Sequence, residues 1–333
     1  MRRSITMKDI AEKLDVSTVT VSKALNDKEG VSDELKERIK QMADEMGYRI
    51  NSLAKSMKEG LSYNIGVIIA ERYTGYDSFY LRFYQQMTTV LEGHNYYGIL
   101  HVLSAEDENG LKQPKVYMDR KVDGLIILGQ VNKPYIELLQ NIDIPIVFLD
   151  FYDEHENIDT ITTDNFYSSY ELTNYVIANG HKKIAFIGNI YATSSIQDRM
   201  LGYFRSLLEH KLQLRLDYIV TDRDDEGHFI DLELPGDMPT AFVCNCDQVA
   251  YNLIKLLKQK GYNVPEDISV VGFDNDIYST ISEPQITTVE VNIFEMSKMA
   301  YQVIAKKIKN PDRVYGRVLI KGRMIYRESV RAI

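Results

Sequence analysis

Ile5-Thr-Met-Lys-Asp-Ile-Ala-Glu-Lys-Leu-Asp-Val-Ser-Thr-Val-Thr-Val-Ser-Lys-Ala-Leu-Asn26 decides how the N-terminal region folds. Ile10, Ala11 and Leu14 share one face of a first helix, at i, i+1 and i+4. Val21, Ala24 and Leu25 do the same for a second. Between them lies a tight turn, Leu14-Asp15-Val16-Ser17. Ser17 suits the N-cap of the second helix, because its hydroxyl can accept from a free backbone N–H of the first turn. That helix exposes Thr18, Val19, Ser22 and Lys23: short side chains that fit close to base edges, and one cation for a phosphate or a guanine. An ordinary helical hairpin is the alternative. Turn length, cap and small exposed residues together favour a helix-turn-helix that lies in a DNA major groove. The expected DNA contacts here are Ser17, Thr18, Val19, Thr20, Ser22, Lys23 and Asn26.

Ser32 and residues 34–38 open a third helix, which turns Ile39, Met42, Ala43 and Met46 to one face and stops at Gly47. Tyr48-Arg-Ile-Asn-Ser-Leu-Ala-Lys-Ser-Met57 follows. With Thr6, Asp9-Ile-Ala11, Val16-Ser17, Thr20-Val-Ser-Lys23 and Leu25-Asn26, this pattern resembles the LacI–GalR bacterial transcription regulators. Asp15 stands where the family usually has Gly, a departure that Asp tolerates because it enters the left-handed region more readily than most residues. Lys23 stands where the family often has Arg, and a lysine lacks the two-pronged contact. The resemblance implies a hinge that becomes a short helix on DNA, with two such helices packed in the minor groove. It adds Tyr48, Asn51, Ala54 and Met57 to the DNA-contacting set, Met57 as the apolar wedge between base pairs. Ile50 replaces the family's Pro and so removes a fixed φ before the hinge.

A chain of 333 residues should hold more than one domain. No apolar run is long enough to cross a membrane, and Arg2-Arg3 lead into Ser-Ile-Thr-Met-Lys-Asp without a secretory signal. A cytoplasmic protein, nucleoid-associated when on DNA, is expected rather than an exported sugar-binding protein. Cys244 and Cys246 would face opposite sides of a strand, so neither an ordinary disulfide nor a zinc site fits them. The net charge is −9, yet residues 1–60 carry 12 Lys and Arg against 11 Asp and Glu, so the acid excess lies beyond them. DNA binding must then lean on placed contacts and two-fold duplication more than on a basic field.

From Tyr63 onward, short apolar runs alternate with helical stretches. The runs begin at Asn64, Tyr97, Val122, Ile144, Lys183, Thr240 and Ile268; residues 80–93 and 248–261 are among the intervening amphipathic helices. That alternation argues for parallel sheets in βαβ units, too many for one core. The predicted fold is an all-α helix-turn-helix headpiece plus an α/β effector domain of two doubly wound parallel-sheet subdomains. The strings Lys121-Val-Asp-Gly-Leu-Ile-Ile, Asn179-Gly-His-x-x-Ile-Ala-Phe-Ile-Gly and Val264-Pro-Glu-Asp-Ile-Ser-Val-Val-Gly-Phe-Asp-Asn extend the resemblance over the whole chain. It implies a periplasmic-binding-protein-like pair of lobes. The expected division is 1–50 headpiece, 51–62 hinge and linker, and 63–333 effector and dimerisation domain. Lobe 1 takes about 63–161 plus 291–320 and lobe 2 about 162–290 plus 321–333, with crossings near 160–163, 289–292 and 319–322.

Ligands in such sheets bind beyond the carboxyl ends of the strands. Asp274 ends one apolar run there, and the resemblance makes it the acidic effector ligand; a turn residue is the alternative. Asp198-Arg-Met-Leu-Gly-Tyr203 matches a family string that makes Arg199 a planar donor to hydroxyls or a carboxylate, against an ordinary helix-surface Arg. Asp77-Ser-Phe-Tyr80 follows the first apolar run, where the resemblance places paired aromatics; Phe79 and Tyr80, with Tyr73 and Tyr76, form an expected wall for a sugar ring, the alternative being that one of the pair is lobe core. Asp247 is retained from the family's Asn-Asp pair while Cys246 departs from it. The effector set is Tyr73, Phe79, Tyr80, Arg199, Asp247 and Asp274. Asp150 and Asp164 end strands or precede helices, with a helix N-cap favoured for Asp164.

Residues 222–233 have nearly the spacing of a calcium loop, but Glu226 replaces the expected Asp or Asn and no helix precedes it, since residues 216–221 read as a strand. A solvated acidic loop is the favoured reading. The segment is also shorter than in the family, so a helix usual there is expected to be stunted. No catalytic constellation, cofactor motif or metal site is found: His181 follows a helix as a structural residue, and His94, His101, His155, His210 and His228 lack ligand spacing. The expectation is a non-enzymatic, homodimeric repressor of carbohydrate-utilisation genes. Its partners are a near-palindromic double-stranded operator and a small sugar-like effector. The alternative is a carbon-catabolite regulator worked mainly by a protein corepressor; an enzyme or sugar-binding protein on the same scaffold ranks last.

Overall fold

The computed structural model describes residues 5–49, 56, 59–75, 79–154, 158–224 and 227–333. It divides into two compact units, Met1–Leu61 and Ser62–Ile333. Several residues singled out in the sequence lie outside the described set: Arg2, Arg3, Ile50, Asn51, Ala54, Met57, Tyr76, Asp77, Ser78, His155 and Glu226.

The first unit holds α1 (Met7–Leu14), α2 (Thr18–Leu25) and α3 (Asp33–Met46). Each start is fixed by a side chain. Thr6 and Asp9 form a capping box at α1, Ser17 accepts from the Thr20 N–H at 3.0 Å, and Ser32 accepts from the Leu35 N–H at 3.4 Å. Asp15 closes α1 in the left-handed region (φ 53°), and its N–H donates to the Ala11 carbonyl. The Asp that stands for Gly thus takes the backbone the turn demands. Gly47 closes α3 at φ 68°. The core is Ile10, Ala11, Val21, Ala24, Ile39 and Ala43, with Leu14, Leu25, Met42, Met46 and Tyr48 packed at its edge.

The second unit is built on two parallel sheets. The larger has the order β11-β5-β4-β3-β1-β2, with β1 (Asn64–Ala70), β2 (Tyr97–Leu103), β3 (Gly124–Leu128), β4 (Ile146–Leu149), β5 (Asp159–Thr163) and β11 (Arg317–Ile320). The smaller has the order β7-β6-β8-β9, with β6 (Ile184–Ile187), β7 (Ile219–Val220), β8 (Ala241–Cys244) and β9 (Ser269–Val271). A short antiparallel pair, β10 (Thr288–Glu290) and β12 (Arg323–Ile325), extends its edge through bridges at Val271 and Asp274. The helices are α4 (Phe79–Glu92), α5 (Ala105–Asn109), α6 (Lys115–Met118), α7 (Lys133–Leu139), α8 (Asn165–Ala178), α9 (Ser194–Glu209), α10 (Asp247–Gln259), α11 (Ile277–Ile281) and α12 (Ile293–Lys309). One apolar cluster runs under both sheets, and each sheet has a further cluster on its other face. Buried on both sides, the central strands read as unbroken apolar runs.

The chain passes between the lobes three times: from β5 into α8, from β10 into α12, and from β11 to β12. Two local expectations change. Residues 216–221, read as a strand, begin as a 3-10 turn at Leu216–Tyr218, and only Ile219–Val220 pair. The cause is Arg215, which stacks on the Tyr218 ring at 4.0 Å and binds Asp217 and Asp237. Conversely, β5 is a wholly buried strand with no apolar run, because three of its five residues are threonine.

Asp159 ties the start of β5 to α12 and to the turn before β11. Its carboxylate accepts from Lys307 Nζ at 2.7 Å and from the backbone N–H groups of Tyr315 and Gly316 at 2.6 and 2.7 Å. Both charges are buried. Lys307→Ala would strand the carboxylate and is expected to cost about 3–5 kcal/mol, lowering the melting temperature of the second unit. Calorimetry checks this; a loss below about 1 kcal/mol would show the pair to be dispensable.

Candidate functional site

In the first unit, Ser17, Thr18, Val19 and Asn26 are exposed, while Thr20, Ser22 and Lys23 are partly so. Val19 is 62% exposed, a β-branched apolar side chain left outside the core on the helix that would enter a groove. Three of the polar side chains are already engaged. The Thr20 and Ser17 hydroxyls lie 2.8 Å apart, and Asn26 Nδ2 donates to the Ser22 carbonyl at 2.7 Å. Lys23 Nζ lies beside Gly30, 3.2 Å from where a Cβ on that glycine would sit. Tyr48 packs against the headpiece core, which pushes its phenol pKa up.

In the second unit a cavity of about 360 Å³ opens between the lobes, beyond the carboxyl ends of the strands. Arg199 on α9 is its anchor. The guanidinium is buried, donates from Nε to Asn165 Oδ1 at 2.8 Å and from Nη1 to the Asn245 carbonyl at 2.5 Å, and lies 3.8 Å above the Phe273 ring. Its Nη2 faces Asp274 Oδ1 at 3.3 Å. Asp274 follows β9 with φ 105°, held there by its N–H donating to the Val289 carbonyl at 2.8 Å. Burial pushes its carboxyl pKa up to about 7, although Arg199 pulls the other way.

The opposite wall comes from lobe 1. Tyr73 and Tyr80 pack at 4.8 Å between centroids, and Phe79 meets Tyr80 edge-on at 5.3 Å while also contacting Phe83 in the core. Tyr80 Oη donates to Asp150 Oδ2 at 3.0 Å. Asp150 follows β4 in the left-handed region (φ 70°) and is buried; its Oδ1 has no hydrogen-bond partner among the described residues. Burial raises its pKa to about 6. A buried acceptor without a donor on a cavity wall suits a ligand hydroxyl. The sequence had shown Asp150 only as a strand-end residue; its position beyond a parallel strand was the available signal. Asp164, by contrast, caps α8 through the Tyr167 N–H at 3.0 Å.

Asp247 is not on the cavity wall. Its carboxylate is fully buried behind it, accepting from Thr288 Oγ1 at 2.6 Å and from the Asp276 N–H at 2.9 Å. Gly272 permits this, since a Cβ there would collide with Asp247 Oδ1. The Asp thus links the start of α10 to the loop after β9 and to β10. Cys246 does line the cavity, its thiol pKa pushed up to about 12 by burial. An amide comes instead from Asn245, whose Nδ2 donates to Asp222 Oδ2 at 2.8 Å and to the Ile187 carbonyl at 3.0 Å.

The acidic segment after β7 is not an open solvated loop throughout. Asp222 is buried and accepts from the Asn189 N–H at 2.7 Å, from Asn245 Nδ2 and from Arg223 Nη2 at 2.8 Å. Those donors occupy the oxygens that a cation would need. Among the described residues no group of three His, Cys, Asp or Glu side chains could hold a metal ion. Arg223 faces the cavity, a lining residue the sequence reading missed because it sits inside an acidic run. No helix forms among the described residues between Val220 and Ala241. His181 bridges Thr240 Oγ1 at 3.0 Å and the Arg331 carbonyl at 3.1 Å, a structural role.

The family model of bacterial regulatory proteins, lacI family, matches residues 6–51, and the periplasmic binding protein-like domain matches residues 173–330. The probable HTH-type transcriptional repressor ExuR of Bacillus subtilis is 30% identical, with 99% of each chain covered. The ribose operon repressor of Haemophilus influenzae is 27% identical over 98% of this chain and 99% of its own length. Among solved structures, a Lac repressor dimer bound to operator and an anti-inducer has a TM-score of 0.75 at 20% identity, covering 99% of this chain and 100% of that one. A cellobiose complex of the transcriptional regulator CelR has a TM-score of 0.71 at 20% identity, over 98% of this chain and 99% of the other. These two structures share the fold.

The raised carboxyls make a pH prediction. Between the ordinary aspartate range and about pH 7, the folded chain holds protons at Asp274 and Asp150 that the unfolded chain has released. Stability of the second unit therefore falls as pH rises through that window. Asp274→Asn should flatten the decline in melting temperature between about pH 5 and about pH 7.5. Parallel profiles for parent and variant would contradict the assignment.

Proposed function

The chain belongs to the LacI family of bacterial regulatory proteins, and from that premise we propose a homodimeric transcriptional repressor of carbohydrate-utilisation genes, controlled by a small sugar-like effector in the interlobe cavity. The observation that carries the effector reading is the pairing of walls: Arg199 and Asp274 on lobe 2 face a cavity whose lobe 1 side offers Asp150 with an oxygen unpartnered among the described residues. A polyhydroxylated ring supplies donors to both carboxylates and an apolar C–H face to Tyr73, Phe79 and Tyr80. Closure is then driven by contacts that form only when both lobes meet the ligand.

On DNA, α2 lies in the major groove, with Ser17, Thr18, Val19, Thr20, Ser22, Lys23 and Asn26 against bases and phosphates. Lys23 must swing away from Gly30 to do so. A two-fold dimer reads a near-palindromic operator. The hinge residues Asn51, Ala54 and Met57 complete the contact in the minor groove, with Met57 as wedge. The effector acts only through its differential affinity for the operator-competent and incompetent lobe arrangements. No enzymatic role is assigned, in keeping with relatives that are regulators. Among the described residues no helix is long and apolar enough to cross a membrane. The location we propose is the cytoplasm, where a DNA partner is met.

Two sets of variants test this. Thr18→Ala and Lys23→Ala should each weaken operator binding by about 1–3 kcal/mol while leaving sugar affinity intact. An equal loss on random DNA would make them phosphate contacts only. Asp274→Ala should still bind operator but no longer respond to the sugar that releases the parent, as read by fluorescence anisotropy of labelled operator. A response at the parent's sugar concentration would move the site elsewhere.

A further inference from the structure

A second cavity, of about 590 Å³, adjoins the first. The two share Arg72, Tyr73, Thr193, Arg223 and Gly227 as lining, so two guanidinium groups stand at their junction, one from each lobe. The lobes come close there: Arg72 Cδ lies 3.7 Å from where a Cβ on Gly227 would sit. Arg72 is held by Glu108, with Nη1 to Oε2 at 2.6 Å, and by the Gln130 carbonyl at 2.6 Å. Arg223 is held by Asp222 through Nε at 3.0 Å and Nη2 at 2.8 Å.

Arg72 and Arg223 line both parts of this double cavity, and the other charged groups among the described residues differ between the parts. The inner part carries Asp150, Asp274 and Asp276 against Arg199. The outer part carries Arg72, Arg223 and Lys133, with His228, against Glu71 and Glu108. Asp222, the partner of Arg223, lines neither part, and Glu108 is only 2% exposed. The carboxylates therefore lie behind the guanidinium groups they orient. With Nη1 and Nη2 of Arg72 on Glu108 and the Gln130 carbonyl, and Nε and Nη2 of Arg223 on Asp222 and Asn245, each guanidinium is fixed in direction and meets a carboxylate or phosphate by charge and single N–H contacts rather than by a free two-pronged edge. A neutral sugar would meet the inner carboxylates and make only neutral contacts with the two carboxylate-paired guanidinium groups at the junction, whereas an anion there gains charge-assisted contacts from both lobes.

We propose that the effector carries an anionic group, a carboxylate or a phosphate, which Arg72 and Arg223 bind at the junction while its hydroxyls face Asp150 and Asp274. This rests on the effector role of the cleft proposed above. The ligand is then a sugar acid or a sugar phosphate, and the anion, contacted from both lobes, adds to the contacts that reward closure.

The test is calorimetric titration of the full chain with glucose, galactose, glucuronate, galacturonate and the two hexose 6-phosphates, at low and high salt. Operator release is measured in parallel. At least one acid should bind about tenfold or more tightly than its neutral parent, and added salt should shrink that advantage. Arg72→Gln and Arg223→Gln should each reduce it, and the uronate and phosphate arms identify the anion. The proposal is overturned by neutral sugars that bind as tightly as their acids, by an absence of acid binding, or by an advantage insensitive to salt and to both variants. Should a neutral sugar release the operator while no acid binds, the anion site falls and the effector cleft stands. Acids that bind and leave operator affinity unchanged would instead keep the anion site and sink the regulatory reading.

Discussion

The Arg199 guanidinium is the interaction on which the ligand wall of lobe 2 depends. It binds Asn165 at the start of α8, the Asn245 carbonyl ahead of α10, and Asp274 beyond β9, with Phe273 beneath it. Three chain segments distant in sequence are thus set against one planar cation. A buried charge is tolerated only when its hydrogen bonds and its counter-charge are both supplied. Each partner here has that obligation, and satisfying it places Asp274 on the cavity wall. The left-handed φ of Asp274 is the strain that this placement entails.

Lobe 1 answers with a different device. Asp150 is also buried and also left-handed, but its neighbour is the neutral Tyr80 hydroxyl rather than a cation. Burial raises its carboxyl against the pull of Arg199 and of the Tyr80 hydrogen bond, and one of its oxygens has no partner among the described residues. The Arg199 wall has its charges paired, while the Asp150 wall keeps one carboxylate oxygen without a partner among the described residues. A ligand with hydroxyl donors relieves that deficit, which makes its binding free energy sensitive to how far the lobes have closed.

The sequence was most legible where periodicity or local chemistry carries the information. The headpiece helices follow from the spacing of Ile10, Ala11, Val21 and Ala24 and from the caps at Ser17 and Ser32, all of which act within a few residues. The buried parallel strands follow from apolar runs such as Asn64–Ala70. β5 did not, because its threonines are buried by their neighbours in the sheet rather than by their own character. At the cleft, Arg199 and Asp274 stand in strings whose pattern is visible. Asp150 and Arg223 do not, since what makes them cavity residues is a tertiary neighbour: Tyr80 for one, Asn245 and the approach of Gly227 to Arg72 for the other. Asp247 shows the converse error. Its motif is plain, but Gly272 lets the carboxylate sink behind the wall, where Thr288 and the Asp276 backbone take it.

The account joins a sugar-sized cleft to a DNA-reading headpiece, and that union is a statement about free energy. If the cleft ligand changes operator affinity by some factor, operator must change ligand affinity by the same factor. The most direct measurement is therefore a pair of titrations on the full chain: operator affinity with and without saturating ligand, and ligand affinity with and without saturating operator. Two matching factors well away from one are predicted, of about 5–150-fold. A ligand that binds the cleft with the same affinity whether or not operator is present would contradict the account.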